Sequence, residues 1–396
     1  MAMEFCPHCM AQVPDGASAC PACGGELSKE NENHQLPVGT ILYSQSGHSF
    51  LIGRTKGEGG FGITYAGREL SSGRVVAIKE FFPVRCQPQR QPDGSIRVLN
   101  RHAEENFAHG IKSFLSEASM LRAINKIPSV VQVLDFFEAN GTAYMVMEYL
   151  NGATLQTIVE QQGPMRFDEL MGPMLPLMQD LGKLHQAGVV HRDIAPDNVM
   201  RMPDGSFKLL DFGCARALED GRSMTVLLKP GFAPLEQYTS RGQTASTDIY
   251  ALCATIFYSI TGRVPPAAPD RLVSIEGQPD PLPPPSALGA QLSHEQEQLL
   301  MWGLGLQPNT RPQKIEELLA RLEELEKAQS APGPQPIPEP ETVGPVYDPA
   351  PQPVIDRDTE YEPVTGLEKV KAYIEDNKLL VGIVAGAIIL LLLFAL

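Results

Sequence analysis

Val190-His191-Arg192-Asp193-Ile194-Ala195-Pro196-Asp197-Asn198, followed by Lys208-Leu209-Leu210-Asp211-Phe212-Gly213, carries most of the chemistry legible in this chain. Asp193 and Asn198 place a carboxylate and an amide five residues apart. A carboxylate can take a proton from a hydroxyl, and an amide oxygen can hold a hard cation such as Mg²⁺. Asp211 closes an apolar, strand-like run and offers a second metal-ready oxygen.

Upstream, Gly57-Glu-Gly59-Gly-Phe-Gly62-Ile-Thr64 reads as a strand–turn–strand. Its glycines would let backbone N–H groups approach phosphate oxygens with no Cβ in the way. Alone, such a stretch is as readily a plain Gly-rich hairpin. Val76-Ala77-Ile78-Lys79 then ends a strand at a distance that lets a lysine reach beneath that turn. Glu117, in Phe114-Leu-Ser-Glu117, stands on the following helix as its candidate partner. Ala233-Pro234-Leu235-Glu236, Asp248-Ile-Tyr-Ala-Leu and Asn309-Thr-Arg311-Pro312 complete the series.

The periodicity around these motifs changes partway. Strands are predicted near 50–53, 63–66 and 74–79, with Ser71-Ser72-Gly73 as a hairpin turn. Apolar residues at Phe114, Ala118, Leu121 and Ile124 predict a helix. Further strands are expected at 130–137 and 143–149, joined by an Asn140-Gly141 turn. After Gly152 the pattern is mostly helical. The fold class is therefore α+β, a strand-rich small lobe and a helical large lobe with a cleft between them.

In order and type, these motifs resemble a protein kinase catalytic domain of the eukaryotic-like Ser/Thr kind found in bacteria, over essentially all of 39–327. The resemblance implies ATP and Mg²⁺ as cofactors and protein substrates. Gly57, Gly59 and Gly62 would cover the ATP phosphates. Lys79 would contact the α/β-phosphates and pair with Glu117. Asp193 would orient or accept the substrate hydroxyl, and Asn198 and Asp211 would hold Mg²⁺. Ala77 and Met200 would sandwich the adenine, with Met147 as gatekeeper and the backbone of Glu148 and Leu150 bonding the base. Thr64, where the family usually has Val, joins this nucleotide-binding set. Glu236 is expected to pair with Arg311, and His191, Phe212 and Leu121 to stack as an apolar spine. Autophosphorylation, a dimer for its trans form, and Ser223 and Thr225 as phosphorylation sites near Arg192 are further expectations.

The chain departs from the family where a lysine usually follows the catalytic Asp by two residues: Ala195 stands there. Tyrosine kinases compensate with an arginine two residues later, but here that position is Asp197. The threonine usual before the Ala-Pro-x-Glu motif is also replaced, by Leu227-Leu228-Lys229-Pro230-Gly231-Phe232. Lys229 is therefore expected to supply the missing ammonium, within ~4 Å of Asp193. A nucleotide-binding pseudokinase, or a zinc-ribbon adaptor with a passive kinase fold, is the alternative reading. Arg85, Arg90, Arg97 and Arg101 make the stretch after Lys79 basic, and it reads as a solvated insertion.

Composition sets the surroundings. The chain has 396 residues, 43% hydrophobic and 20% charged, which excludes global disorder and a small disulfide scaffold. Lys+Arg 32 against Asp+Glu 47 gives −15, so nucleic acid is not an expected partner. Cys6, Cys9, Cys20 and Cys23 form two Cys-x-x-Cys knuckles, a spacing that suits structural Zn²⁺. They predict a separable zinc ribbon over 1–28, followed by a polar connector over 29–38. A Pro-rich acidic juxtamembrane linker is expected over 328–378 and a transmembrane helix over 379–396. Those last 18 residues carry no charge. At ~1.5 Å each they span ~27 Å, near the ~30 Å hydrocarbon thickness. The N-terminus has neither a basic nor an apolar leader region, so the expected location is the cell membrane, single-pass, with the kinase domain cytoplasmic.

Overall fold

The computed structural model describes residues 4–14, 16–27, 30–124, 126–212, 228–239, 242–273 and 280–330. The chain starts with two short antiparallel strands, β1 (Glu4–Phe5) and β2 (Gln12–Val13). Next come β3 (Ile41–Tyr43), β4 (Ser49–Gly59), β5 (Gly62–Glu69) and β6 (Val75–Phe81). A small hairpin of β7 (Gln89–Arg90) and β8 (Ile96–Arg97) leads into helix α1 (Arg101–Ala123). Strands β9 (Val133–Ala139) and β10 (Thr142–Glu148) complete the lobe. Six of the strands form one antiparallel sheet in the order β3-β4-β5-β6-β10-β9. Asn140 and Gly141, at φ +52° and +69°, make the tight turn expected between β9 and β10. Val130, expected inside that strand, instead forms an isolated bridge to Leu209.

Helix α1 begins well before its apolar pattern suggests. Asn100 Oδ1 caps it by accepting from the N–H groups of His102 and Ala103 at 3.0 and 3.1 Å. Its early turns seat Phe107 on Phe81, with ring centroids 5.4 Å apart. At Gly110 a Cβ would strike the Phe81 ring, so the helix can lie close to β6 only with glycine there.

The large lobe contains β11 (Ala153–Thr154), α2 (Leu155–Gln162) and α3 (Phe167–Gln186), then β12 (Val199–Arg201) and β13 (Phe207–Leu209). Helices α4 (Leu235–Tyr238), α5 (Ala245–Thr261), α6 (Ala268–Val273), α7 (His294–Gly303) and α8 (Ile315–Ser330) follow. Every residue of α5 from Ser246 to Thr261 is buried, which is why its sequence is apolar nearly all round. The Glu236–Arg311 pair lies beside it, bidentate at 2.8 and 2.9 Å and buried.

The basic stretch expected to be solvated and the polar connector are both built into the small lobe. Arg90 Nη2 meets Glu80 at 2.6 Å, and both side chains are buried. The hydroxyls of Tyr65 and Tyr144 donate to the same carboxylate at 2.9 and 2.8 Å. The basic stretch after Lys79 is thus fastened by Arg90, because Glu80 points to the opposite face of β6 from Lys79 and needs a cation there. The connector is also packed rather than free. Leu36 is fully buried with its N–H bonded to Tyr65 Oη at 3.0 Å. His34 and Gln35 both hold Glu58, at 2.9 and 3.0 Å.

The cysteine segment docks on β4 in the same way. Pro7 O accepts from Arg54 N at 2.6 Å, and Met10 O from Arg68 Nη1 at 3.0 Å. Its two knuckles share one backbone pattern: Met10 N bonds Cys6 O at 2.9 Å, and Gly24 N bonds Cys20 O at 2.8 Å. Both Met10 and Gly24 are left-handed, at φ +59° and +70°. Met10 carries that strain because its side chain fills the notch over Gly53, where a Cβ would collide with it.

Candidate active site

Strand register builds one wall of the interlobe cleft. Gly57 pairs with Thr64 and Thr64 with Lys79, so the glycine turn and the lysine lie in one row across β4, β5 and β6. Gly62 is a close-approach position, where a Cβ would run into the Glu80 carbonyl of the neighbouring strand.

The opposite wall is a set of loops tied to the core by buried polar groups. Asp248, fully buried on α5, accepts from the backbone N–H groups of His191 and Arg192, both at 2.7 Å, and pairs with His185 at 2.9 Å. His191 donates from Nε2 to Leu210 O at 2.8 Å, and its Nδ1 accepts from Asp193 N at 3.3 Å. Burial lowers its pKa, which keeps the ring neutral for these two bonds. His191 also packs against Phe212, the rings tilted by 39° with centroids 4.2 Å apart. Arg192 and Asp211 sit at positive φ, +66° and +31°, the kind of backbone strain a functional loop retains.

Between the walls lies a cavity of about 420 Å³ lined by Gly57, Gly59, Gly62, Thr64, Lys79, Glu117, Asp193, Asn198, Asp211 and Lys229. Asn198 Nδ2 donates to Asp193 O at 2.8 Å and to Asp193 Oδ2 at 2.9 Å, which leaves the amide oxygen as its remaining ligand. A second cavity of about 310 Å³ shares Gly57, Thr64, Asp197 and Asp211 with the first. Ala77, Met147, Glu148, Leu150 and Met200, the residues expected around the base, all line it.

The Lys79 ammonium pairs with Asp211 Oδ1 at 2.7 Å, and the Glu117 carboxylate favours its charge as well. Burial works against the lysine charge, but Asp211 first and Glu117 next outweigh it and raise its pKa. The same contact holds the Asp211 carboxyl below its ordinary range, against the cost of burial. Lys229 Nζ stands 3.5 Å from Asp193 Oδ2 and is gripped by both Asp197 oxygens at 2.7 and 2.8 Å. Asp248 and Asp197 are contributors that motif reading left without a role. The hydrophobic run of α5 around Asp248 was the available signal, because a carboxylate in a buried helix must have partners. Ser223 and Thr225 lie outside the described residues.

The donor sets suit the expected metals. Asn198 and Asp211 offer hard oxygens, as Mg²⁺ requires. Cys6, Cys9, Cys20 and Cys23 bring their sulfurs within 4.8 Å of one another. Cys6–Cys23 and Cys9–Cys20 are both 3.7 Å apart. A tetrahedral ion with ~2.3 Å metal–sulfur bonds has edges of ~3.8 Å, so the thiol cluster fits Zn²⁺.

A glycine-lined cavity, an adjoining base-sized cavity, and carboxylate, amide and lysine groups between two lobes together define the cleft of a protein kinase fold. The chain belongs to the protein kinase family: the profile described as Protein kinase domain matches residues 50–321. It is similar to the serine/threonine-protein kinase PknB of Mycobacterium leprae, 31% identical over 297 residues, covering 72% of this chain and 44% of that protein. PknB of Mycobacterium tuberculosis is 32% identical over 285 residues, covering 69% and 42%. The chain thus spans less than half the length of these relatives. Among solved structures, the apo form of PpkA-294 aligns at TM-score 0.64 and 35% identity, covering 73% of this chain and 99% of that one. These relatives place the domain among Ser/Thr protein kinase domains.

Proposed function

We propose that this chain is a membrane-tethered Ser/Thr protein kinase that moves the γ-phosphoryl group of ATP to protein hydroxyls, its own among them. One observation carries this reading: Lys79, Asp193, Asn198 and Asp211 converge on a single cavity beneath the glycine turn. In the proposed reaction, Asp193 orients the substrate hydroxyl and accepts its proton as the oxygen attacks the γ-phosphorus. Lys79 binds the nucleotide phosphates, and Ala77, Met147 and Met200 enclose the base. Asn198 and Asp211 would hold Mg²⁺, which supplies charge neutralisation to the phosphates when bound. Ala195 is the observation that favours a pseudokinase, and the same assay separates the two readings.

The thiol cluster supports a structural Zn²⁺ site on Cys6, Cys9, Cys20 and Cys23. Its packing on β4 supports a role in bracing the small lobe. Membrane attachment rests on the uncharged run at 379–396, which lies outside the described residues. Among the described residues no helix is long and apolar enough to cross a membrane.

The test uses the full chain in detergent with labelled ATP, Mg²⁺ and a generic protein substrate. Label on serine and threonine but not tyrosine is the expected result. Nucleotide binding with no transfer to any hydroxyl would favour the pseudokinase. Metal analysis of freshly purified, reduced protein should find one zinc per chain.

A further inference from the structure

The phosphate cavity is lined by two lysines, Lys79 and Lys229, and by the carboxylates of Glu58, Glu117, Asp193, Asp197 and Asp211. A triphosphate entering this space adds more negative charge, so the placement of the cations matters. Lys79 reaches in from β6 and is in contact with Asp211. The other ammonium comes from the opposite lobe and lies 3.5 Å from Asp193 Oδ2, beside the carboxylate that faces the substrate hydroxyl.

Three features argue against an idle surface lysine. The Lys229 side chain is only 29% exposed, and Asp197 takes its ammonium with both oxygens. The Lys229 carbonyl closes a turn, accepting from Phe232 N at 3.1 Å and Ala233 N at 3.0 Å. Gly231, at φ +87°, packs so tightly on Val264 and Pro265 that a Cβ there would clash. The backbone is therefore pinned just after the lysine. The neighbouring position on the catalytic loop, Ala195, is fully buried and carries no charge.

We infer that Lys229 is the catalytic cation of the large lobe and that Asp197 is the positioning residue that aims it. The inference rests on the phosphoryl-transfer reading above. In the step, the substrate oxygen bonds to the γ-phosphorus while the bond from that phosphorus to the β,γ-bridging oxygen breaks. The bond pair leaves on ADP, and the hydroxyl proton passes to Asp193. Lys229 keeps its proton throughout and stabilises the charge on the transferring phosphoryl oxygens. The cation thus belongs to the segment leading to Phe232, so its arrival depends on that segment being seated.

The experiment measures kcat, KM for ATP and thermal midpoint on the full chain. The variants are Lys229→Ala, Lys229→Gln, Lys229→Ala with Ala195→Lys, and Asp197→Asn, with Asp193→Asn as control. Both Lys229 variants should lose about 10²-fold in kcat. Their KM for ATP and thermal midpoint should stay near wild type, because the cation acts on the transferring group rather than on nucleotide binding. The double variant should regain about tenfold of that loss, and Asp197→Asn should cost about tenfold in kcat alone, as misaiming does. Near-wild-type kcat in Lys229→Gln would overturn the assignment. So would a fall in kcat matched by a fall in thermal midpoint in both Lys229 variants, which would mark a structural lysine. If wild type and Asp193→Asn are equally inactive, the phosphoryl-transfer reading itself fails and the assignment goes with it.

Discussion

On the small-lobe side of the phosphate cavity, Gly57, Thr64 and Lys79 lie in one row across three hydrogen-bonded strands. On the large-lobe side, Asp193 and Asn198 stand on a loop that single buried side chains hold from a distance. Asp248 holds it from α5, 55 residues beyond Asp193 in the chain. The ladder on one side shares its work among many equivalent bonds. On the other, the loop's polar groups depend on a few contacts, those of Asp248 central among them. The small-lobe wall should therefore tolerate loss of one peripheral contact, while the large-lobe wall should fail when its central carboxylate is altered.

Apart from Asp193 itself, the largest effect should come from removing the cation that the ladder presents. Lys79→Met should cost about 10²–10³-fold in kcat/KM, roughly 3–4 kcal/mol, and should raise KM for ATP as well. A kcat/KM within threefold of wild type would remove Lys79 from the site. Next comes Asp248→Asn, which turns an NH₂ group toward one of three donors in a fully buried place. It should destabilise the large lobe by about 3 kcal/mol, the cost of buried donors left unpaired. Urea unfolding checks this, and an unchanged midpoint would break the contrast between the walls. The smallest effect should be at the rim of the ladder. His34→Ala removes one of two contacts on Glu58, the 2.9 Å one, and leaves that of Gln35 at the cavity wall. This half-exposed pair is worth ~0.2–1 kcal/mol, so KM for ATP should rise about 1.4- to fivefold with kcat unchanged. A fall in kcat instead would mean that the glycine turn, and not only its charge, depends on the connector.

The same contrast explains what the sequence made legible. The β4–β6 row was readable because spacing along paired strands converts directly into position in space. The base-cavity residues followed, since Ala77 lies on β6 and Met147 and Glu148 on β10, in register with it. Arg90 was misread because nothing in its surroundings marks it as the partner of Glu80; the pairing exists only once β6 turns that carboxylate inward. The docking of the cysteine segment was invisible for a related reason. It depends on a glycine notch at Gly53 that one methionine fills, and on backbone bonds such as Pro7 to Arg54 that leave no mark in composition. Lys229 was approachable by a different route. The charge missing at Ala195 points to a replacement in the nearest segment, although nothing in the sequence marks the grip of Asp197 on it.

The central claim is that the cleft performs phosphoryl transfer with Asp193 acting on the hydroxyl, separately from nucleotide binding. Asp193→Asn in the full chain tests it, with label transfer and Mg²⁺–ATP affinity measured on the same preparation. Transfer should fall by at least about 10³-fold, the upper part of the range for a lost general base. The affinity for Mg²⁺–ATP should stay within about twofold, because Asn198 still has a side-chain oxygen and the 193 backbone carbonyl to bond. Undiminished transfer in the variant, or loss of nucleotide binding in step with transfer, would contradict the account.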